Sequence, residues 1–139
     1  MLYSAYFRRQ LEKLPLLPVN EDHFSVLHHA REFRERIFEL IAKAERRIYL
    51  VALYLQDDEA GREVMEALYQ AKLARPQLDI KVFVDFHRGQ RGLIGKGPQS
   101  GNHAMYQSFA SKYPTCDIPF YGVPVKRREW VGVLHLKGF

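Results

Sequence analysis

Arg47-Ile-Tyr-Leu-Val-Ala-Leu-Tyr-Leu55 is a near-continuous apolar run, rich in strand-forming residues and too short for a helix buried on all sides. It predicts a β-strand covered on both faces, and strands of that kind belong to parallel sheets. Just downstream, Asp57-Asp-Glu59 puts carboxylates where the positive end of a helix dipole favours them, which marks a helix start. Ala60, Val64, Leu68 and Ala71 then recur at helical spacing up to about Ala74, and Arg75-Pro76 ends the pattern. Asp79-Ile-Lys-Val-Phe-Val-Asp85 reads as the next strand. Strand, helix and strand within about 40 residues make a βαβ unit, with parallel strands and a right-handed crossover.

Upstream of this unit, Phe33, Ile37, Leu40, Ile41 and Ala44 mark one face of a helix running from Ala30 to Arg47. Residues 1–29 form a separate N-terminal segment. Residues 2–14 predict a short helix with Tyr3, Phe7, Leu11 and Leu14 on one face and Arg8, Arg9 and Lys13 elsewhere. Such a helix either docks on the body of the protein or lies on an anionic membrane surface. Pro15 and Pro18 bracket a break, and a short extended segment at about His23 to Leu27 is expected after it.

Downstream, Phe86 to Gly101 has many glycines and positive charges and no hydrophobic period, and so predicts a loop. A modest helix over Ala104 to Lys112 follows. Asp117-Ile-Pro-Phe-Tyr121 reads as a short strand whose Pro119 favours a sheet edge or a strand end. Lys126-Arg-Arg-Glu129 is a charged turn before a last strand, Val131-Gly-Val-Leu-His-Leu-Lys-Gly-Phe139. On that strand Val131, Val133, His135 and Lys137 share one face, so an imidazole and an ammonium emerge side by side. The fold class is α/β, with a mostly parallel or mixed sheet and helices on both faces. Chemistry in such folds collects at the carboxyl ends of the strands.

Composition bounds the function. The 139 residues suffice for one domain with a real core, and their 47% apolar and 27% charged residues describe a globular chain. Lys and Arg outnumber Asp and Glu by 21 to 16, for a net charge of +5, which favours anionic partners such as phosphates, nucleic acid or an acidic membrane. Cys116 is the single cysteine, which excludes an internal disulfide and a cysteine-based zinc site. The longest apolar run, Ile48 to Leu55, falls far short of the ~20 residues that span a bilayer, and the N-terminus has no secretory pattern. The default compartment is the cytoplasm.

A neutral His can attack phosphorus, and a Lys can hold the non-bridging oxygens where negative charge develops. A lone His-x-Lys pattern is weak by itself, because strand ends often reach solvent with polar residues. Arg88, Arg91 and Lys96, with His87 beside them, stand in the glycine-rich loop after the second strand. They are candidates to grip a pyrophosphate or nucleotide, the glycines permitting close backbone approach. The alternative is a solvated loop. Asp85 reads as a strand-terminating residue that could pair with Arg88.

The order of elements, ending in Leu-His-Leu-Lys-Gly138, resembles the first half of a phospholipase D superfamily domain, whose signature is His-x-Lys, four residues, then Asp. His135 and Lys137 match the first two positions, and the third would fall beyond Phe139. Within the superfamily the chain looks closest to the bacterial phosphatidylserine synthases. The segments that carry the likeness are Val51-Ala-Leu-Tyr-Leu55, Val84-Asp-Phe-His-Arg-Gly-Gln-Arg-Gly92, Tyr121-Gly-Val-Pro124 and Val133-Leu-His-Leu-Lys-Gly-Phe139. Together they cover residues 30–139, which the resemblance makes a first phospholipase D-like domain that ends within its motif.

The resemblance implies an enzyme that moves a phosphatidyl group from CDP-diacylglycerol to L-serine and releases CMP. It implies no metal or other cofactor, and a phosphohistidine intermediate formed between two His-Lys motifs. His135 is one of the two histidines, favoured as nucleophile over general acid, and Lys137 contacts the phosphoryl oxygens. No second His-x-Lys occurs in the sequence. The second half-site is therefore expected from the rest of a longer chain or from a dimer partner. A peripheral location on the inner membrane follows from the lipid donor, and nucleic acid is not an expected partner. The alternative enzymes are other members of the superfamily: a phospholipase, a cardiolipin synthase-like transferase or a nuclease. A non-enzymatic binder of anionic membranes is the alternative outside catalysis.

Overall fold

The computed structural model describes residues 2–15, 17–91, 101–125 and 134–139. Two compact units divide the chain between Glu32 and Phe33. The first unit holds α1 (Leu2–Leu11), which carries Arg8 and Arg9 in its last turn, and a 3₁₀ turn at Glu21–His23 capped by the Asn20 side chain. That turn occupies the start of the segment expected to be extended. Phe24, which follows it, does have extended backbone angles.

The second unit is built on α2 (Ala30–Lys43), β1 (Arg47–Ala52), α3 (Glu59–Ala74), β2 (Asp79–Asp85), α4 (Phe86–Gln90), α5 (Asn102–Lys112) and β3 (Phe120–Val123). The three strands form a parallel sheet in the order β1-β2-β3. Ile48 pairs with Ile80, Leu50 with Val82, and Val82 in turn with Phe120. The βαβ unit is therefore present with β2 at its expected bounds. Pro119 immediately precedes β3, at the edge of the sheet among the described residues, where its missing N–H removes no ladder bond.

The core lies on one face of this sheet. Ile48, Leu50, Ile80, Val82 and Val84 are buried against Met65, Leu68 and Tyr69 of α3 and Met105, Tyr106 and Phe109 of α5. Complete burial of a residue such as Leu68 contributes roughly 1.5–3 kcal/mol. The other face carries Tyr49, Lys81, Phe83 and Tyr121. There Tyr49 is 38% exposed and Tyr121 44% exposed, with Phe83 and Tyr121 stacked 5.1 Å apart. The expectation that the first strand is covered on both faces is thus corrected. Burial along β1 alternates over Arg47–Leu50: Ile48 and Leu50 enter the core with α2, α3 and α5, while Arg47 and Tyr49 are exposed.

Local chemistry fixes the helix ends. The Asp58 carboxylate accepts the Gly61 N–H at 2.9 Å and caps α3. Gly61 is needed for close approach, since a Cβ there would sit 1.8 Å from the Gln56 carbonyl oxygen. At the far end, the Arg75 guanidinium donates to the carbonyls of Ile41, Ala42 and Ala44 at 2.6–2.8 Å. It thereby satisfies acceptors that the end of α2 leaves without partners in the helix, and places a cation at the negative end of that helix.

Two further expectations are corrected. Phe86–Gln90, expected to be loop, is a short helix, because Asp85 caps it and Gly89 packs against Val84, where a Cβ would come within 2.9 Å of the valine side chain. In the expected last strand, Leu134–Lys137 are not strand. Among the described residues of that stretch, Gly138 alone pairs, through an antiparallel bridge to Val51. The charged turn at 126–129 and residues 131–133 lie outside the described residues.

Candidate active site

The carboxyl ends of β1 and β2 are tied together by side chains of α5 and by Asp85. The Tyr106 hydroxyl accepts the Leu55 N–H at 3.0 Å and donates to the Leu55 carbonyl at 2.8 Å, so one buried phenol satisfies both backbone groups of a loop residue. Burial pushes the Tyr106 hydroxyl up to about 12, so it remains a neutral donor and acceptor at physiological pH. Asn102, also buried, accepts the Asp57 N–H at 3.0 Å and donates to the Arg88 carbonyl at 3.4 Å. The loop after β1 and helix α4 after β2 are thereby held from the same end of α5.

Asp85, the last residue of β2, is 2% exposed. Its Oδ1 accepts the N–H groups of His87 at 3.0 Å and Arg88 at 2.8 Å, and its Oδ2 accepts the N–H of Leu134 at 3.2 Å. The expected pairing of Asp85 with Arg88 therefore runs through the Arg88 backbone. The Asp85 N–H itself donates to the Leu53 carbonyl at 3.1 Å, which joins the ends of the two strands.

His135 and Lys137 sit between two anchors. Leu134 is held by Asp85, and Gly138 exchanges backbone hydrogen bonds with Val51 at 2.9 and 3.1 Å. Between these points the two side chains are exposed, and Lys137 Nζ lies 3.2 Å from His135 Nδ1. The structure thus brings the predicted pair together, although the residues are not in a strand. An ammonium has only donors, so a hydrogen bond across this contact requires the lone pair of Nδ1, the tautomer with its proton on Nε2. The arrangement presents to solvent an imidazole, a nearby cation and a main chain hydrogen-bonded on both sides.

Of the expected loop residues, His87 and Arg88 stand on α4 and Arg91 directly follows it; His87 and Arg91 are exposed and Arg88 is half-buried. Lys96 lies outside the described residues. Asn102 and Tyr106 were not legible as site-forming, because a helix whose apolar period is weak gives no sign of which end its polar residues will grip. Among the described residues, no three His, Cys, Asp or Glu side chains are grouped as a metal site.

No family profile matches the chain. Individual relatives do. The CDP-diacylglycerol–serine O-phosphatidyltransferase PssA of Escherichia coli K12 is 44% identical over 132 residues, covering 95% of this chain and 29% of its own length. The Haemophilus influenzae enzyme of the same name is 42% identical over 133 residues, 94% of this chain and 29% of that protein. The crystal structure of phosphatidylserine synthase from H. influenzae superposes with a TM-score of 0.85 at 40% identity, over 96% of this chain and 30% of that one. The chain is similar to bacterial phosphatidylserine synthases over nearly its whole length. It spans about 30% of their length. A more distant relative from Schizosaccharomyces pombe, a CDP-diacylglycerol–glycerol-3-phosphate 3-phosphatidyltransferase, is 31% identical over 111 residues, 79% of this chain and 21% of that protein. The three relatives' names share the donor, CDP-diacylglycerol; two name serine as the acceptor and the third glycerol 3-phosphate.

Proposed function

We propose that this chain contributes one half-site of a phosphatidyltransferase that uses CDP-diacylglycerol and L-serine. The similarity to two phosphatidylserine synthases over nearly the whole chain carries the proposal. The contact of Lys137 with His135 on an anchored stretch supports it. In the reaction, His135 Nε2 attacks the phosphatidyl phosphorus. A P–N bond forms as the bond to the CMP oxygen breaks, and CMP departs. The serine hydroxyl then attacks the same phosphorus, the P–N bond breaks, and the hydroxyl proton passes to a base. Attack through Nε2 uses the lone pair of that nitrogen, so the ring proton must stand on Nδ1: Lys137 turns away from Nδ1, and solvent exchanges the proton between the two ring nitrogens. A phosphoryl oxygen is the anion that draws the ammonium away, and there the ammonium stabilises the charge that develops in the transition state.

The second His-x-Lys of the site comes from outside these 139 residues, from further polypeptide or a second copy. Arg88, Arg91, Lys96 and His87 bind the anionic nucleotide portion of the donor. Association with the inner-membrane surface is peripheral. No described helix is long and apolar enough to cross a membrane, while α1 combines exposed Tyr6, Phe7 and Leu11 with Arg8 and Arg9.

The test is CMP release from CDP-diacylglycerol by the protein its reading frame encodes, with and without L-serine. Serine-dependent CMP release with formation of phosphatidylserine is expected. Release that ignores serine would make water the acceptor. Release that requires glycerol 3-phosphate would favour the second reading, which rests on the S. pombe relative.

A further inference from the structure

We infer that Asp85 is a positioning residue for the His135–Lys137 pair, holding it in fixed relation to helix α4 through the two oxygens of one carboxylate; this rests on the proposed function of that pair. The carboxylate is almost wholly buried, yet among the described residues the hydrogen bonds it accepts come from main-chain N–H groups. Taking a carboxylate out of water is costly unless its oxygens are satisfied, and three N–H donors converging on it meet that requirement.

The division of labour between the oxygens is the informative feature. Oδ1 caps α4 by taking the N–H groups of His87 and Arg88. A serine or asparagine could do that alone. Oδ2 reaches across 49 positions of sequence to the N–H of Leu134, the residue before His135. An N-cap needs no second acceptor, and only a carboxylate presents two acceptors and no donor when ionised. With Gly138 fixed to Val51 on β1, the bond to Leu134 supplies the second anchor, from β2. His135 and Lys137 span the gap between the two strands. Release of one anchor leaves the imidazole attached on one side only, and loss of alignment at a reacting atom lowers turnover more than it lowers binding.

The experiment uses the full-length enzyme, with Asp85→Asn and Asp85→Ser beside the wild type. In Asp85→Asn the remaining carbonyl oxygen still accepts from the cap, while the amide nitrogen, a donor, meets the donor N–H of Leu134. In Asp85→Ser the hydroxyl can cap but is too short to reach Leu134. Both should keep the fold, lower kcat about tenfold or more and leave KM for CDP-diacylglycerol within about twofold. Amide hydrogen exchange should quicken at Leu134 and remain slow at His87 and Arg88. A loss of thermal stability with unchanged kcat would overturn the inference, because it would leave Asp85 a cap and nothing more. Leu134 exchanging in the wild type as fast as an unstructured amide would also overturn it, and that measurement needs no variant to fold. If wild-type enzyme releases no CMP, the proposed function fails, and the exchange data still decide whether Asp85 fixes this stretch.

Discussion

Lys137 Nζ lies 3.2 Å from His135 Nδ1, on a stretch of chain fixed by Leu134 on one side and Gly138 on the other. In the protein encoded by the full reading frame, His135→Ala should abolish CMP release, because the Lys137 ammonium that remains has no lone pair with which to form the P–N bond. Lys137→Ala should lower turnover about 100-fold, through loss of a cation that acts on the transition-state charge. Steady-state kinetics with CDP-diacylglycerol decide both, and normal turnover in either variant would remove the pair from the mechanism.

Tyr106→Phe keeps the ring and deletes the hydroxyl that serves both backbone groups of Leu55. The stacking of the ring on Phe120, at 4.7 Å, should survive. The loss leaves a donor and an acceptor of the loop without their partner, so destabilisation of about 1–3 kcal/mol is expected in denaturant unfolding. A midpoint equal to that of the wild type would show that water replaces the hydroxyl at no cost.

Gly61→Ala places a methyl group 1.8 Å from the Gln56 carbonyl oxygen, a backbone atom that cannot swing away as a side chain can. The start of α3 must then move, and with it the Asp58 cap. The variant should be much less stable than the wild type although alanine is the better helix former, a reversal of intrinsic propensity. Thermal melting of the two proteins provides the comparison.

Glu66 of α3 receives hydrogen bonds from Tyr113, from Lys112 at 2.9 Å and from Gln70 at 2.9 Å, and these hold its carboxyl down at about 2 against an ordinary 4.5. A carboxyl depressed on folding contributes stability that is fully present above its unfolded value and is lost as pH falls toward the folded one. The stability difference between wild type and Glu66→Gln should therefore shrink as pH drops from about 4.5 to 2. The group is partly exposed, so solvent screening keeps the effect modest. Urea midpoints measured at pH 7, 4 and 2.5 would reveal it, and a constant difference would refute it.

The apolar run from Ile48 and the helical period after Asp58 were enough to give the βαβ unit, the parallel pairing and the bounds of β2. Those features follow from local periodicity, which a sequence displays directly. The same reasoning misjudged the covering of β1. An apolar run does not state whether a second layer lies over it, and Tyr49 is apolar enough to read as core while its hydroxyl bonds to Asp79 at 2.5 Å on the face away from the core. It also missed α4, whose glycine and charge content looks like loop and whose helix exists because Asp85 caps it and Gly89 fits against Val84.

The sequence by itself determined the α/β class, the pairing of His135 with Lys137 two positions apart, and the likeness that points to phosphatidyl transfer. Only the tertiary structure decided that Leu134–Lys137 depart from a strand, that Val51 and Asp85 anchor them on either side, and that Asn102 and Tyr106 secure the strand ends. The reason is distance along the chain. A periodic pattern is written within a dozen residues, whereas the bond from Leu134 to Asp85 joins positions 49 apart and exists only once β2 has been buried and its final carboxylate needs donors.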